Sequence, residues 1–237
     1  MAKKVLITGT NRGIGLALVG EYLKRGEEVF AGCRKPDEAD RLNKLAAQHG
    51  DRLHVFRLEV TRSENIAAAA QLVWSRTETL DILINNAGIN PEPSADVKLG
   101  DLQLQDCRDA IEVNALGPAR ITRAMLPLLE KGGRAVVANI TSGVACMSAK
   151  TRPGYYAYGT SKAALNYFTR AMAAELRSRG LIVVLISPGW VKTDMGGPDA
   201  ELPASQSAAG IAATIDKLRP EDNSFWFNWD GRKQETW

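Results

Sequence analysis

Lys4-Val5-Leu6-Ile7-Thr8-Gly9-Thr10-Asn11-Arg12-Gly13-Ile14-Gly15, running on as LALVGEYLKR to Arg25, is the stretch on which the reading of the fold turns. Its first residues form an apolar, strand-like run, and Leu16–Arg25 spaces its apolar residues as a helix does. Between them lie Gly9, Gly13 and Gly15. Glycines allow a tight turn and a close approach of backbone to ligand. The turn opens a helix whose positive end suits a pyrophosphate. The spacing is GxxxGxG, one residue longer than GxGxxG. A glycine-rich βα turn without a ligand is the alternative, and a strand before with a helix after favours the binding turn.

Working outward, the same alternation recurs. Strands are expected at Lys4–Thr8, Val29–Cys33, Leu53–Leu58, Ile82–Asn85, Arg134–Ile140, Leu181–Ile186 and Ser224–Asn228. Helices are expected at about Gly13–Arg25, Pro36–Gln48, Ser63–Glu78, Leu104–Glu130, Tyr156–Arg179 and Ser205–Leu218. Runs such as AVVANI and LIVVLI are nearly continuous in apolar residues, as in strands covered on both faces. The expectation is therefore an α/β fold: one Rossmann-type, doubly wound parallel sheet of about seven strands with helices on both faces. No linker or repeat interrupts it, so residues 1–237 are read as a single domain. Gly196–Ala204 is the longest helix-breaking stretch late in the chain and is expected to form a flexible substrate lid.

Composition narrows the class without naming a reaction. Apolar residues make up 45% and charged residues 24%, the proportions of an ordinary globular protein. A formal charge of +3 with dispersed basic residues argues against nucleic acid or an anionic membrane as partner. The three cysteines, Cys33, Cys107 and Cys146, lie far apart without a CxxC, so neither a disulfide framework nor a metal site is expected. That cysteine usage, a first strand at residue 4 and no apolar run of the roughly 20 residues that span a bilayer point to a cytoplasmic protein.

Tyr158-Gly159-Thr160-Ser161-Lys162 places a phenol and an ammonium at i and i+4, on one helix face. An ammonium beside a phenol favours the phenolate and lowers its pKa toward the working range. Such a tyrosine can give a proton to a carbonyl oxygen or take one from an alcohol. Alone this spacing is common by accident. It is joined by Asn85-Asn86-Ala87-Gly88 after an apolar strand and by Asn114 inside a helical run, where an amide has little intrinsic reason to be. Ser142 ends the fifth strand, and Pro188-Gly189-Trp190-Val191-Lys192-Thr193 follows the sixth, both at the edge where open α/β sheets bind ligands.

In this order and spacing the motifs resemble the short-chain dehydrogenase/reductase family over essentially the whole chain. The C-terminal third is similar to the sniffer-type carbonyl reductases and the bacterial C-factor proteins. The resemblance implies that Gly9, Asn11, Gly13 and Gly15 face the cofactor diphosphate and Ile14 the nicotinamide. It implies that Asn86, Ala87 and Gly88 lie along the adenosine ribose. Tyr158 would be the acid–base residue, Lys162 its electrostatic partner and a ribose ligand, and Ser142 a hydrogen-bond partner of the substrate oxygen. Asn114 would hold a water in a proton relay toward Lys162. Pro188, Gly189, Val191 and Thr193 would lie at the nicotinamide end, with Val191 and Thr193 fixing the carboxamide. Two departures stand out. Glu59, before Val60 in LEVT, replaces the aspartate usual at the adenine contact, and CMSAKTRPGYY lengthens the interval from Ser142 to Tyr158. A homodimer or homotetramer is implied by the resemblance alone.

The second strand ends in Cys33-Arg34, with arginine where an acid would bind the free 2′-hydroxyl of NAD. Arg12 and Arg34 together suit a 2′-phosphate, so NADP(H) is the expected cofactor. Solvated surface arginines are the alternative. The functional expectation is an NADPH-dependent carbonyl reductase acting on a small-molecule carbonyl or alcohol. An alcohol dehydrogenase running in the oxidative direction and a signalling protein that senses NADP(H) are the alternatives. His49 and His54 are read as surface or strand-end residues rather than ligands.

Overall fold

The computed structural model describes residues 2–92 and 96–237. Seven strands form one sheet: β1 (Lys4–Thr8), β2 (Glu28–Cys33), β3 (Leu53–Arg57), β4 (Ile82–Asn85), β5 (Val136–Ile140), β6 (Ile182–Ser187) and β7 (Trp226–Asn228). The helices are α1 (Gly13–Lys24), α2 (Asp40–His49), α3 (Ser63–Trp74), α4 (Leu104–Ile111), α5 (Gly117–Lys131), α6 (Tyr156–Leu176) and α7 (Ala204–Lys217). The strand order is β3-β2-β1-β4-β5-β6-β7, and every pairing is parallel.

Side-chain alternation along these strands feeds two cores. Val5, Ile7, Val29, Ile84 and Val184 point to the face covered by α1, α2 and α7. Leu6, Phe30, Leu83, Val137 and Val183 point to the face covered by α3, α5 and α6. With both faces dry, the strands read as nearly continuous apolar runs, and the polar residues buried in them are paired, Asn85 with Asn139 and Asn139 with Thr169. The expected Rossmann-type sheet is therefore present. From β1 the chain winds outward to β2 and β3, then returns to β4 on the other side of β1. That reversal opens a crevice at the carboxyl ends of β1 and β4.

One expected element is corrected. The single helix Leu104–Glu130 is instead α4 and α5 joined by a π-helical turn at Glu112–Leu116, closed by the Gly117 N–H bonding to the Glu112 carbonyl. Pro118 accounts for the break. It has no N–H to give the carbonyl of Asn114, the acceptor that an unbroken α-helix would assign to it. Other boundaries move by a few residues. The expected helix from Ser63 stops at Trp74, and the first turn expected for α2 is a separate 3-10 turn at Pro36–Glu38.

Candidate active site

A cleft of about 1220 Å³ lies along the carboxyl edge of the sheet. The β1–α1 turn supplies Gly9, Asn11, Arg12, Gly13, Ile14 and Gly15 to its wall. Gly9 has φ of 72°, and a Cβ there would stand 2.8 Å from Ala87 Cα. A Cβ on Gly15 would stand 2.1 Å from the Gly9 carbonyl oxygen. No other residue type fits these two positions with the turn as it is. The first turn of α1 contains no acid, and no side chain caps it, so its N–H groups face the cleft without an anionic neighbour of their own.

Asn86, Ala87 and Gly88 line the facing wall. The Thr8 hydroxyl oxygen accepts from the Asn86 and Ala87 N–H groups at 3.0 and 2.9 Å. Asn86 Nδ2 donates to the carbonyls of Thr8 and Gly9 at 2.9 and 3.1 Å. The Asn86 amide is thus spent on riveting the ends of β1 and β4 together. Arg34, Glu59 and Val60 line the cleft near the ends of β2 and β3. Glu59 Oε1 sits 3.5 Å from Arg62 Nε. Arg12 pairs with Asp194 at 2.8 Å, another residue of the cleft wall.

Tyr155 takes a left-handed conformation with φ of 53° just before α6, and Tyr158 and Lys162 reach the cleft from that helix. Lys162 is buried, and its Nζ donates to the Ile140 carbonyl at 2.8 Å. Burial lowers its pKa to about 8. The same Nζ stands 5.8 Å from the centre of the Tyr158 ring. Burial pushes the Tyr158 phenol up, while a hydrogen bond shared with the Ser142 hydroxyl draws it down, less strongly. This differs from the expectation of a lowered phenol: desolvation is the largest influence on Tyr158, and the Lys162 ammonium is turned to the Ile140 carbonyl.

Asn114 is fully buried and does not reach the cleft surface. Its Oδ1 accepts from the Ile89 N–H at 2.8 Å, and its Nδ2 donates to the Ile89 carbonyl at 2.8 Å and to Ser161 Oγ at 2.9 Å. Both Nδ2 hydrogens are therefore spent on protein, and Oδ1 has taken one donor. A Cβ on Gly88 would lie 3.1 Å from Asn114 Oδ1 and 3.5 Å from Lys162 Nζ, so the three groups meet at one point. Ser142 is half-buried beside Tyr158 and is not among the residues that line this cleft, and its Oγ accepts from the Val144 N–H at 3.4 Å. Pro188 and Thr193 line the cleft, whereas Gly189 and Val191 do not. Gly189 is packed against Leu202 and Trp229, and Val191 pairs with Leu202.

The stretch Gly196–Ala204 is more tied down than a free lid. Lys192 N donates to the Leu202 carbonyl at 2.9 Å, Trp190 Nε1 to the Gly196 carbonyl at 2.8 Å, and Gly197 N to the Thr193 carbonyl at 3.0 Å. Three features of the site had no signal in the motifs. Arg41 and Lys44 of α2 line the cleft beside Arg34. Asp194 holds Arg12. Glu92, buried in the loop after β4, accepts the Tyr158 N–H at 3.0 Å. Among the described residues no group of three His, Cys, Asp or Glu side chains is placed to hold a metal ion, and no helix is long and apolar enough to cross a membrane.

Known proteins resemble this chain over two thirds to nearly all of its length. It is 47% identical over 155 residues to C-signal of Myxococcus xanthus, covering 65% of this chain and 92% of that protein. It is 34% identical to an uncharacterized oxidoreductase of Schizosaccharomyces pombe, covering 97% and 96% of the two chains. Among solved structures, the NADPH-bound carbonyl reductase from chicken fatty liver superposes with a TM-score of 0.91 at 34% identity, covering 98% of each chain. The carbonyl reductase Sniffer of D. melanogaster superposes with a TM-score of 0.93 at 32% identity, covering 98% and 99%. The family model for the short chain dehydrogenases matches residues 3–202, which take in the glycine turn, Asn114, Ser142, Tyr158, Lys162 and Thr193, and the chain belongs to that family.

Proposed function

We propose that the protein is an NADPH-dependent carbonyl reductase in which Tyr158 exchanges the proton with the substrate oxygen. The observation that carries this reading is the meeting of Tyr158, Ser142 and Lys162 at the carboxyl edge of the sheet. The residues fit the cofactor. The uncapped first turn of α1 has room and polarity for a diphosphate, and Arg12 and Arg34 on the same wall suit a 2′-phosphate. Arg34 holds the position at the end of β2 where an acid would bind a free 2′-hydroxyl. When bound, NADP(H) supplies or accepts the hydride.

Tyr158, with its pKa raised by burial, is a neutral phenol near pH 7, the form that donates a proton. Ser142, already bonded to the phenol, orients the substrate oxygen toward it. Lys162 is largely an ammonium at pH 7 and stabilises negative charge arising on Tyr158. With both Nδ2 hydrogens of Asn114 spent on protein, its part in a proton relay is that of an acceptor, through Oδ1 or its backbone carbonyl.

The test is a panel of aldehydes and ketones with NADPH, following loss of reduced-cofactor absorbance, with Tyr158→Phe alongside. Tyr158→Phe removes only the proton donor. Turnover should fall by about 10²–10⁴ while NADPH binding persists. Near-wild-type turnover in Tyr158→Phe on a good substrate overturns the mechanism. A second reading, an NADP(H)-binding signalling protein, rests on the likeness to C-signal. NADPH binding without turnover of any carbonyl across the panel would favour it.

A further inference from the structure

We propose that Glu92 is a positioning residue for Tyr158, anchoring the backbone of that residue from the loop after β4. This rests on the reading of Tyr158 as the proton donor. The first N–H groups of a helix lack partners within it, and they are usually met by a capping side chain just before the helix. In α6 the preceding residue is Tyr155, which offers no side-chain cap, and the first turn holds no acid. The Gly159 N–H makes the first intrahelical bond, to the Tyr155 carbonyl at 2.8 Å. The Tyr158 N–H is thus the last without a helical acceptor, and Glu92 Oε2 takes it at 3.0 Å from 66 residues away. A carboxylate there also answers the positive end of the helix.

The other side of Tyr158 is held as well. Its carbonyl accepts from Ser161 Oγ at 2.7 Å, and that oxygen in turn accepts from Asn114 Nδ2 at 2.9 Å. Asn114 grips Ile89 through both N–H and carbonyl, and three residues on, the Glu92 N–H donates to Asn90 Oδ1 at 3.3 Å. One loop therefore runs from Asn114 through Ile89 and Asn90 to Glu92, and it closes on the Tyr158 backbone. Glu92 is only 8% exposed, and its second oxygen, Oε1, is buried with no hydrogen-bond partner among the described residues. Burying half a carboxylate unpaired is costly. A residue chosen for stability alone would be apolar here, which assigns the position to what Oε2 does.

The test compares Glu92→Ala, Glu92→Gln and Tyr158→Phe by kcat and KM with para-nitrobenzaldehyde, by NADPH dissociation constant and by melting temperature. Displacing the proton donor by a fraction of an ångström to an ångström lowers kcat by about 10- to 100-fold. Glu92→Ala is expected to show that loss with NADPH affinity unchanged within about twofold. Glu92→Gln keeps an acceptor for the Tyr158 N–H and is expected to recover most of kcat. If Glu92→Ala does not fold, Glu92→Met, which keeps the stem and lacks the acceptor, takes its place, and an unfolded Glu92→Met counts against the proposal. Wild-type kcat in the Ala or Met variant overturns it, and so does a kcat loss that Gln does not repair. An active Tyr158→Phe would instead overturn the reading on which the proposal rests.

Discussion

Arg12 Nη1 stands 2.8 Å from Asp194 Oδ2, so an ion pair ties the glycine turn to the loop that follows β6. Both side chains are mostly exposed, at 66% and 74%. Such a pair contributes only about 0.2–1 kcal/mol. Asp194 draws on the same guanidinium that would bind a 2′-phosphate, and the two compete for its charge. Asp194→Asn should therefore tighten NADPH binding by about 1.5- to 5-fold and leave NADH untouched. Arg12→Ala should weaken NADPH alone. Titration calorimetry with both cofactors decides the matter. If Asp194→Asn weakens NADPH binding, the pair orders the site instead of competing with it.

Arg34 is expected to set the preference between cofactors more strongly than Arg12, which shares its charge with Asp194. A charge-assisted bond to phosphate is worth about 1.5–3 kcal/mol. Two exposed arginines are discounted to about that total, or roughly 10- to 150-fold for NADPH over NADH. Arg34→Asp should remove most of this preference by setting a like charge against the phosphate. Arg41 and Lys44 on the same wall should leave a residue of it. Equal wild-type dissociation constants for NADPH and NADH at near-physiological salt would sink the assignment of both arginines.

Lys162 gives the cofactor-free protein a pH signature. Its ordinary pKa of 10.5 falls to about 8 in the fold. Between these values the unfolded chain binds more protons than the native one, so stability rises with pH. The penalty of burying the ammonium is fully present below pH 8 and is relieved as pH climbs through 8 to 10. The steepest slope is about 1.4 kcal/mol per pH unit. Above pH 10 Tyr22 and Tyr158, whose phenols burial pushes up, oppose the trend because they ionise first in the unfolded chain. Denaturant unfolding from pH 7 to 10 should show the rise in wild type and a flatter profile in Lys162→Met. A flat wild-type profile would contradict a buried, depressed Lys162.

The elements with the clearest reading in the chain were those buried on both sides. Val136 to Ile140 and Ile182 to Ser187 have no exposed face to break their apolar run, so their strands were evident. The glycine turn and the Tyr158–Lys162 spacing were evident for a related reason, because backbone geometry restricts which residues can stand there. The break at Glu112–Leu116 was also legible in Pro118, but the strong helical period on either side concealed it. Glu92 and Asp194 were not legible. Each works across a long sequence separation, 66 and 182 residues, and nothing local marks a loop acid as the partner of one distant N–H or guanidinium. Arg41 and Lys44 read as the solvated face of an ordinary helix, and only the placement of α2 beside the cleft gives them another meaning.

Two glycines with opposite surroundings test the packing of the cleft edges. Gly20 lies in α1, and a Cβ there would meet nothing within 4 Å. Alanine at that position should lower the entropy of the unfolded chain without a clash, adding about 0.5–1 kcal/mol. Gly196 differs, because a Cβ there would stand 2.0 Å from the Val191 carbonyl oxygen. That oxygen belongs to the turn that holds Thr193 at the cleft, and the Gly196 N–H itself donates to Thr193 Oγ1 at 3.1 Å. Gly196→Ala must therefore push the two backbones apart, costing about 1–3 kcal/mol, and should loosen the Trp190–Gly196 bond with it. Thermal melts should place Gly20→Ala above wild type and Gly196→Ala below it. NADPH affinity should fall only in Gly196→Ala, because only that change moves Thr193. A Gly196→Ala protein with wild-type melting temperature and NADPH affinity would mean that the segment is loose enough to absorb the methyl group, and the free lid expected of Gly196–Ala204 would then be the better description.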